Sequence, residues 1–476
     1  MTARLALAPF IAFSLLGCKA IPETQQNPPD APQRIANAIL AAQVDASGVP
    51  GMAAAFVRDG QVLWTGTAGY RDAERGLEVE PDTSFRLASV SKLVTASAAM
   101  VLYDRGQLDI DAPVQQYLPG RKLAWAAITA RQLAAHTSGI PHYQPVDDER
   151  GAVHFSNVDE ALDIFAERKL LAPPGTQYNY SSYGYTLLSA AIEGSARTPF
   201  LNFVSGAVTY GLDLRPDLVP DPQHDSIAYE FVNGMTRRAG PHDYSYSWGG
   251  AGFRGSARDV ALFGARVMSP DFLSRRARDV MWTPAYLKDG SPVAEQGDAI
   301  GFGWRVNTDS NNERIVHHAG AAIGARSSLV LYPETRDSVS LLSNAIWVSD
   351  ITETSQMLAA PFRVQPAASV ALCPTSAVRY EGTFAGTEIS GSARFELAED
   401  ICRGSIDVRN AAGEWFNAFP QDDKETLSII AISPGDGMDR AALITPSGSY
   451  ELRRQADGSY AATLSPKRRL TIRLKS

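Results

Sequence analysis

Two β-prone stretches lie far apart in this chain and bracket a long helical middle, and that arrangement restricts the folds open to it. The first, "GMAAAFVRDGQVLWTGTAGY" (51–70), has two strand-like runs around Asp59-Gly60, a strong hairpin signal. The second, "ARSSLVLYPETRDSVSLLSNAI" (325–346), repeats the pattern across a polar turn. Between them, helical patterns dominate from Ile128 to Gly194, broken by "HTSGIPHY" and "LAPPGTQYNYSS". Residues 205–248 are polar, turn-rich and irregular, and "GSARDVALFGARVM" then reads as a helix entered from a Gly/Ser turn. Further helices are expected from about Pro32 to Ala46, with Ile35 and Ile39 on one face, and from about Asp350 to Ala360. Strands at both ends with helices between predict an α+β domain whose antiparallel sheet is assembled from its termini.

From about Cys373 the pattern changes to short alternating strands separated by turns, such as "VRYEGTFAG", "ARFELAED" and "TLSIIAIS". This reads as a small all-β unit, a sandwich or a barrel, with the boundary near Pro366 to Pro374. The expected organisation is therefore 32–366 for the α+β domain and 373–476 for the β domain.

"FRLASVSKLV" (85–94) opens a helix that runs to Tyr103 and stops before Gly106. Ser89 and Lys92, three apart on a helix, share a face and can approach to hydrogen-bonding distance. A serine hydroxyl is a weak nucleophile until a base takes its proton, and a desolvated lysine can be that base. Ser91 adjoins Lys92 and projects elsewhere. S-x-x-K by itself is weak: chance supplies about one in a chain this long. Yet of eight lysines only Lys92 has a serine three positions earlier. On these residues alone, a capping serine beside a solvated lysine competes with a catalytic pair.

The net charge of −8, without a long basic run, argues against a nucleic-acid partner. "MTARLALAPFIAFSLLGC" has Arg4, then an apolar run from Leu5 to Leu16 that is too short to span a bilayer and fits a secretory signal, residues 1–17. Leu15-Leu16-Gly17-Cys18 also resembles a bacterial lipobox, in which Cys18 is lipidated; an ordinary signal with an incidental cysteine is the alternative. The polar, proline-rich stretch 18–31 suits a tether. Together these predict an exported lipoprotein of the bacterial cell envelope, facing the periplasm and held to the membrane by its anchor. In an oxidising compartment Cys373 and Cys402 form a disulfide or remain as two buried thiols. No spacing suggests a metal site: His317 and His318, adjacent on a strand, would point to opposite faces. G-x-S-x-G, P-loop and dinucleotide fingerprints are all missing.

Several segments, in one order, resemble the serine β-lactamase and penicillin-binding-protein superfamily. They are "FRLASVSKLVTASAAMVLYDRGQLDIDAPVQQYLP", "LAAHTSGI", "PPGTQYNYSSYGYTLLSAAIEG", "WGGAGFRGSARDVALFG", "GFGWRV" and "HHAGAAIGARSSLVLYPE". The resemblance covers about residues 35–360 and lies in the class-C-like branch, fitting best the β-lactamase-like serine hydrolases of mitochondrial type. It implies a β-lactamase/transpeptidase-like fold with a helical subdomain. It also implies Ser89 as acylated nucleophile, Lys92 as its proton acceptor and Tyr180 as proton shuttle. The backbone N–H groups of Ser89 and Ala321 would form the oxyanion hole, with His318, Gly320 and Ser182 contacting substrate. His136 is expected to hold a turn, and Trp248 and Trp304 to be core or cleft wall.

Two departures bear on the substrate. Ser182 stands where the family usually has asparagine, and a hydroxyl cannot offer the amide's simultaneous donor and acceptor. His318-Ala319-Gly320 lacks the lysine of penicillin-recognising enzymes, and neutral imidazole holds a carboxylate less strongly than a permanent cation. The expectation is a serine hydrolase acting through an acyl-enzyme on an ester or small peptide, with no metal or organic cofactor. A D,D-carboxypeptidase or weak β-lactamase is the alternative among enzymes, and a non-catalytic binding protein the alternative outside them.

Overall fold

The computed structural model describes residues 30–125, 127–218, 220–364, 373–374, 377–408, 425–433, 438–465 and 468–475. The expected signal sequence, Cys18 and all but the last two residues of the tether lie outside them, as does most of the expected domain boundary.

Nine strands form one antiparallel sheet. They are β1 (Gly51–Arg58), β2 (Gln61–Asp72), β3 (Leu77–Glu78), β4 (Ala294–Glu295), β5 (Asp298–Ile300), β6 (Arg305–Thr308), β7 (Arg314–Ala322), β8 (Ala325–Tyr332) and β9 (Asp337–Ser343), in the order β3-β2-β1-β9-β8-β7-β6-β5-β4. Met52 pairs with Ser343 and Arg58 with Asp337, so the two sequence ends do meet in the middle of the sheet. The first hairpin turns at Asp59-Gly60, both with positive φ, as the sequence predicts.

The central strands are buried on both sides. Ala53, Ala55 and Val57 of β1 face one hydrophobic cluster, and Met52, Ala54 and Phe56 face the other. On the first side lie α2 (Ser91–Asp104), α3 (Ser182–Ala196) and α4 (Ala257–Met268). On the second lie α1 (Ala31–Ser47) and α5 (Ile351–Arg363). Helix α2 is buried on every side from Ser91 to Leu102, which places it at the centre of the helical layer rather than on the surface.

The segment expected to be irregular contains a short hairpin, Tyr229–Val232 with Met235–Arg238, and a strand, Leu214–Pro216, that joins a three-stranded sheet with Phe85–Arg86 and Phe253–Gly255. Strands β4 and β5 also went unforeseen; at two and three residues they are too short for a period-2 pattern to emerge. Strand β6 continues the "GFGWRV" segment, which the family resemblance gives as a strand.

The C-terminal unit is a closed eight-stranded antiparallel barrel running from Val378 to Lys475. Its interior holds Tyr380, Phe395, Leu443 and Ile472 among others, and a disulfide joins Cys373 to Cys402. The barrel's outer wall contributes Ile401, Ile430, Ile432 and Ile444 to the cluster that contains Ile35, Ile39 and Leu358. At this seam the fully buried Gln43 donates to Thr445 O (3.0 Å) and accepts from Ser449 Oγ (2.7 Å). The two units therefore share a core.

Candidate active site

Ser89 lies in a 3₁₀ turn, Ala88–Val90, that leads into α2. Ala88 holds φ at +47°, a conformation that costs a non-glycine residue about 1–2 kcal/mol and persists only where the surroundings enforce it. They do: Ser327 Oγ of β8 donates to Leu87 O (2.6 Å), and Leu87 N bonds Phe253 O (2.9 Å). Just upstream, Arg86 Nε pairs with Asp217 (2.7 Å), which with Asp225 also takes the buried Arg254 (2.9 and 2.8 Å). The nucleophile turn thus rests on a buried charge network.

The spacing argument for Ser89 and Lys92 holds across this turn. Lys92 Nζ is 3.1 Å from Ser89 Oγ, 2.9 Å from Ser182 Oγ and 2.8 Å from Gly250 O. Lys92 is fully buried, and desolvation, reinforced by the positive Arg305, pushes its pKa well below the usual lysine range. A neutral amine donates two hydrogens and accepts one. Ser182 Oγ and Gly250 O take the two, which leaves the nitrogen lone pair for the Ser89 hydroxyl hydrogen. Ser91, by contrast, accepts from Phe253 N (3.1 Å) and takes no part.

Gly250 reaches Lys92 only because it has no side chain. A Cβ there would lie 2.6 Å from Ser247 Oγ and 3.0 Å from Ser182 Cβ. At Gly320 a Cβ would lie 2.6 Å from Leu87 O and 2.8 Å from Ser89 N, so glycine lets β7 close on the nucleophile turn.

Tyr180 donates its hydroxyl to Ser89 Oγ at 2.8 Å. Burial pushes its pKa up to about 12, against the opposing pull of the Ser89 hydrogen bond, so it is a phenol rather than a phenolate at working pH. The His136 ring packs on it, with centroids 4.3 Å apart. His136 holds φ at +59°, and its Nδ1 accepts from Ser181 N (3.1 Å) while its carbonyl accepts from Asn179 N (2.7 Å). Both bonds flank Tyr180. His136 holds this turn, and Trp248 and Trp304 are buried core.

A cleft of about 980 Å³ opens at Ser89 and Tyr180. Strand β6 pairs with β7 only as far as Arg305 opposite His317, so beyond that point the outer edge of β7 has no strand partner. Ala319, Gly320 and Ala321 of that edge line the cleft beside Ser89, which brings both expected oxyanion-hole residues to one cavity. The cleft continues to the barrel rim, where Tyr450, Arg453 and Arg469 line it.

Two expected substrate contacts fall elsewhere. Ser182 is buried with its hydroxyl turned to Lys92 instead of the cleft, because as first residue of α3 it sits beneath Tyr180 and against α2. His318 shares the face of β7 that carries Gly320, but is 4% exposed and does not line the cleft. Its Nδ1 donates to Ala319 O (2.6 Å). Desolvation, with Arg305 and Lys92 nearby, lowers its pKa well below the ordinary imidazole value, so it supplies no cation. A cleft cation near this strand is Arg305, paired with Glu295 and with Asp298 (3.5 Å). Sequence reasoning missed it, along with His142, which lines the cleft next to Tyr180. His142 lies in the quoted "HTSGIPHY" turn, and only the fold reveals where that turn delivers it. Among the described residues no cluster of three His, Cys, Asp or Glu side chains could hold a metal ion.

The beta-lactamase family model matches residues 36–345. The serine beta-lactamase-like protein LACTB, mitochondrial, of Homo sapiens is 26% identical over 392 residues, covering 62% of this chain and 71% of that protein. A D-stereospecific amidohydrolase from Streptomyces sp. aligns with TM-score 0.56 at 25% identity, over 66% of this chain and 95% of its own. The octameric penicillin-binding protein homologue from Pyrococcus abyssi, at 19% identity and TM-score 0.56, covers 92% of this chain and 99% of its own, a likeness of fold that extends into the barrel. With a strained serine turn, a buried lysine and a phenol converging on one cleft, and with the family model spanning most of the α+β domain, this chain belongs to the beta-lactamase family, within the superfamily of serine β-lactamases, penicillin-binding proteins and related serine hydrolases.

Proposed function

We propose that the chain hydrolyses an ester or small peptide through an acyl-enzyme on Ser89. The observation that carries the reading is the hydrogen-bonded chain Tyr180 Oη–Ser89 Oγ–Lys92 Nζ, with the amine buried and carrying no carboxylate partner among the described residues. As Ser89 Oγ attacks the carbonyl carbon, its proton moves to Lys92 Nζ. The resulting ammonium lies 4.8 Å from the Tyr180 ring centroid and 5.4 Å from that of Tyr185, whose faces stabilise it. Charge developing on the carbonyl oxygen is met by the amides of Ser89 and Ala321. The Tyr180 hydroxyl gives its proton to the leaving group and recovers one from Lys92. Water then attacks the acyl-serine, passing a proton through the same groups to Ser89 Oγ as the acid leaves.

Relatives of similar fold include a D-stereospecific amidohydrolase, which supports peptides with a D-residue as candidates. The missing third-motif lysine, the neutral His318 and the self-paired Arg305 weigh against a β-lactam carboxylate. The same proposal places the protein at the bacterial envelope, anchored through Cys18, on the strength of the lipobox-like sequence.

A panel of p-nitrophenyl esters, D-Ala-D-Ala peptides and a chromogenic cephalosporin tests the assignment. Turnover of ester or peptide should fall about 10²–10⁴-fold in Lys92→Ala and Tyr180→Phe, the usual worth of positioned acid–base groups. Unchanged rates in either variant would remove that residue from the mechanism.

A further inference from the structure

Beside Ser89 and Tyr180 the cleft wall carries a side chain with no role in the steps above, His142. His142 is half-buried, lines the cleft, and is clamped between rings: its centroid is 4.3 Å from that of Tyr143 and 5.3 Å, edge-on, from that of Tyr180. Its protonation follows from its contacts. Ser182 N–H donates to His142 Nδ1 at 3.3 Å, so Nδ1 keeps its lone pair. Burial, with the nearby Lys92, lowers the ring's pKa to about 4, so the imidazole is neutral at working pH. A neutral ring with an unprotonated Nδ1 carries its hydrogen on Nε2. Nε2 has no protein acceptor among the described residues.

Ser182 spends its hydroxyl on Lys92 and offers no polar group here. His136 and His318 are buried and use their Nδ1 atoms on backbone groups. The cleft therefore presents a rigid, neutral N–H donor at His142, next to the nucleophile, and little cost attends its use because the ring is already fixed.

We infer that His142 is a specificity residue, whose Nε2–H donates to a carbonyl oxygen on the acyl side of the substrate. It selects acyl donors with an amide near the scissile carbonyl, as in N-acylated amino acid esters and peptides, over plain alkanoyl esters. The inference rests on acyl transfer at Ser89. A neutral donor suits an amide oxygen; a carboxylate would have drawn a cation instead.

The test compares N-acetylglycine p-nitrophenyl ester with p-nitrophenyl hexanoate in the full-length protein. His142→Phe keeps a flat ring and loses the donor, whereas His142→Asn can accept from Ser182 N and still donate. The ratio of kcat/KM for the two esters should fall about tenfold in His142→Phe, the worth of one hydrogen bond, and should be restored in large part in His142→Asn. Equal losses on both esters in His142→Phe would make the residue merely structural, and an unchanged ratio would also overturn the inference. Failure of the hydrolase reading looks different: neither ester would be turned over by the unmodified protein. The ester ratio should hold from neutral pH down to about pH 5, because the proton the ring gains near pH 4 goes to Nδ1, against Ser182 N–H, and leaves Nε2–H in place.

Discussion

Lys92 has two hydroxyls and a carbonyl for neighbours and no carboxylate within ion-pairing reach among the described residues. Its folded pKa lies well below its unfolded value, which for lysine is about 10.4. Between those two values the unfolded chain binds a proton that the folded chain does not, so this residue makes stability rise with pH through that window. Activity follows the same titration: acylation needs the free amine. The kcat/KM profile should climb through an apparent pKa well below 10.5, and Lys92→Met should abolish turnover while raising the thermal midpoint, since a thioether needs no proton removed on burial. A lower midpoint in Lys92→Met would contradict the cost assigned to burying the amine. The pairing of Ser89 with Lys92 was legible because i,i+3 spacing brings side chains together on nearly any helical turn. The partners that hold the amine were not, since Ser182 and Gly250 come from elements about 90 and 158 positions away.

At the scale of elements, the site is a place where three close approaches coincide. The turn Trp248–Ala251 brings a carbonyl to Lys92, β7 brings Gly320 to the nucleophile turn, and α3 begins at Ser182 under Tyr180. Gly250→Ala should therefore damage chemistry more than folding. Its Cβ must push Ser247 or the start of α3 aside, and a loss of about tenfold or more in kcat with a modest drop in melting temperature is expected. A full-activity Gly250→Ala enzyme would show that the carbonyl contact is dispensable. The central strands and α1 were readable from hydrophobic periodicity, which registers which faces are buried. Most of the sheet edge was not: β4 and β5 carry Glu295 and Asp298, which pair with Arg305 of β6. Such strands are polar because they flank a cleft, and a polar short strand looks like a loop from sequence. His318 illustrates the converse limit, because strand alternation gives the face but not how deep in the wall a ring lies.

Over the whole molecule, the barrel is part of the same folded body as the α+β domain. Isoleucines of its outer wall fill the cluster built on α1 and α5, and Gln43 makes its only side-chain hydrogen bonds across that seam among the described residues. A shared core predicts a single calorimetric transition for the intact chain, and reduction of Cys373–Cys402 should lower it. Closing a loop of 29 residues is worth about 3–4 kcal/mol in the chain-entropy account. Two well-separated transitions would contradict the shared core. Alternating strands announced an all-β unit, but closure into a barrel depends on the pairing of Val378–Phe384 with Arg468–Lys475, a long-range match that local pattern does not encode.

The most direct measurement is a serine-directed fluorophosphonate probe applied to the intact protein, with the adduct located by peptide mass spectrometry. Stoichiometric labelling confined to Ser89, absent in Ser89→Ala and slowed in Lys92→Ala, is the result expected of a serine activated by a buried amine. Labelling that survives Ser89→Ala, or no labelling of a folded protein, would contradict it.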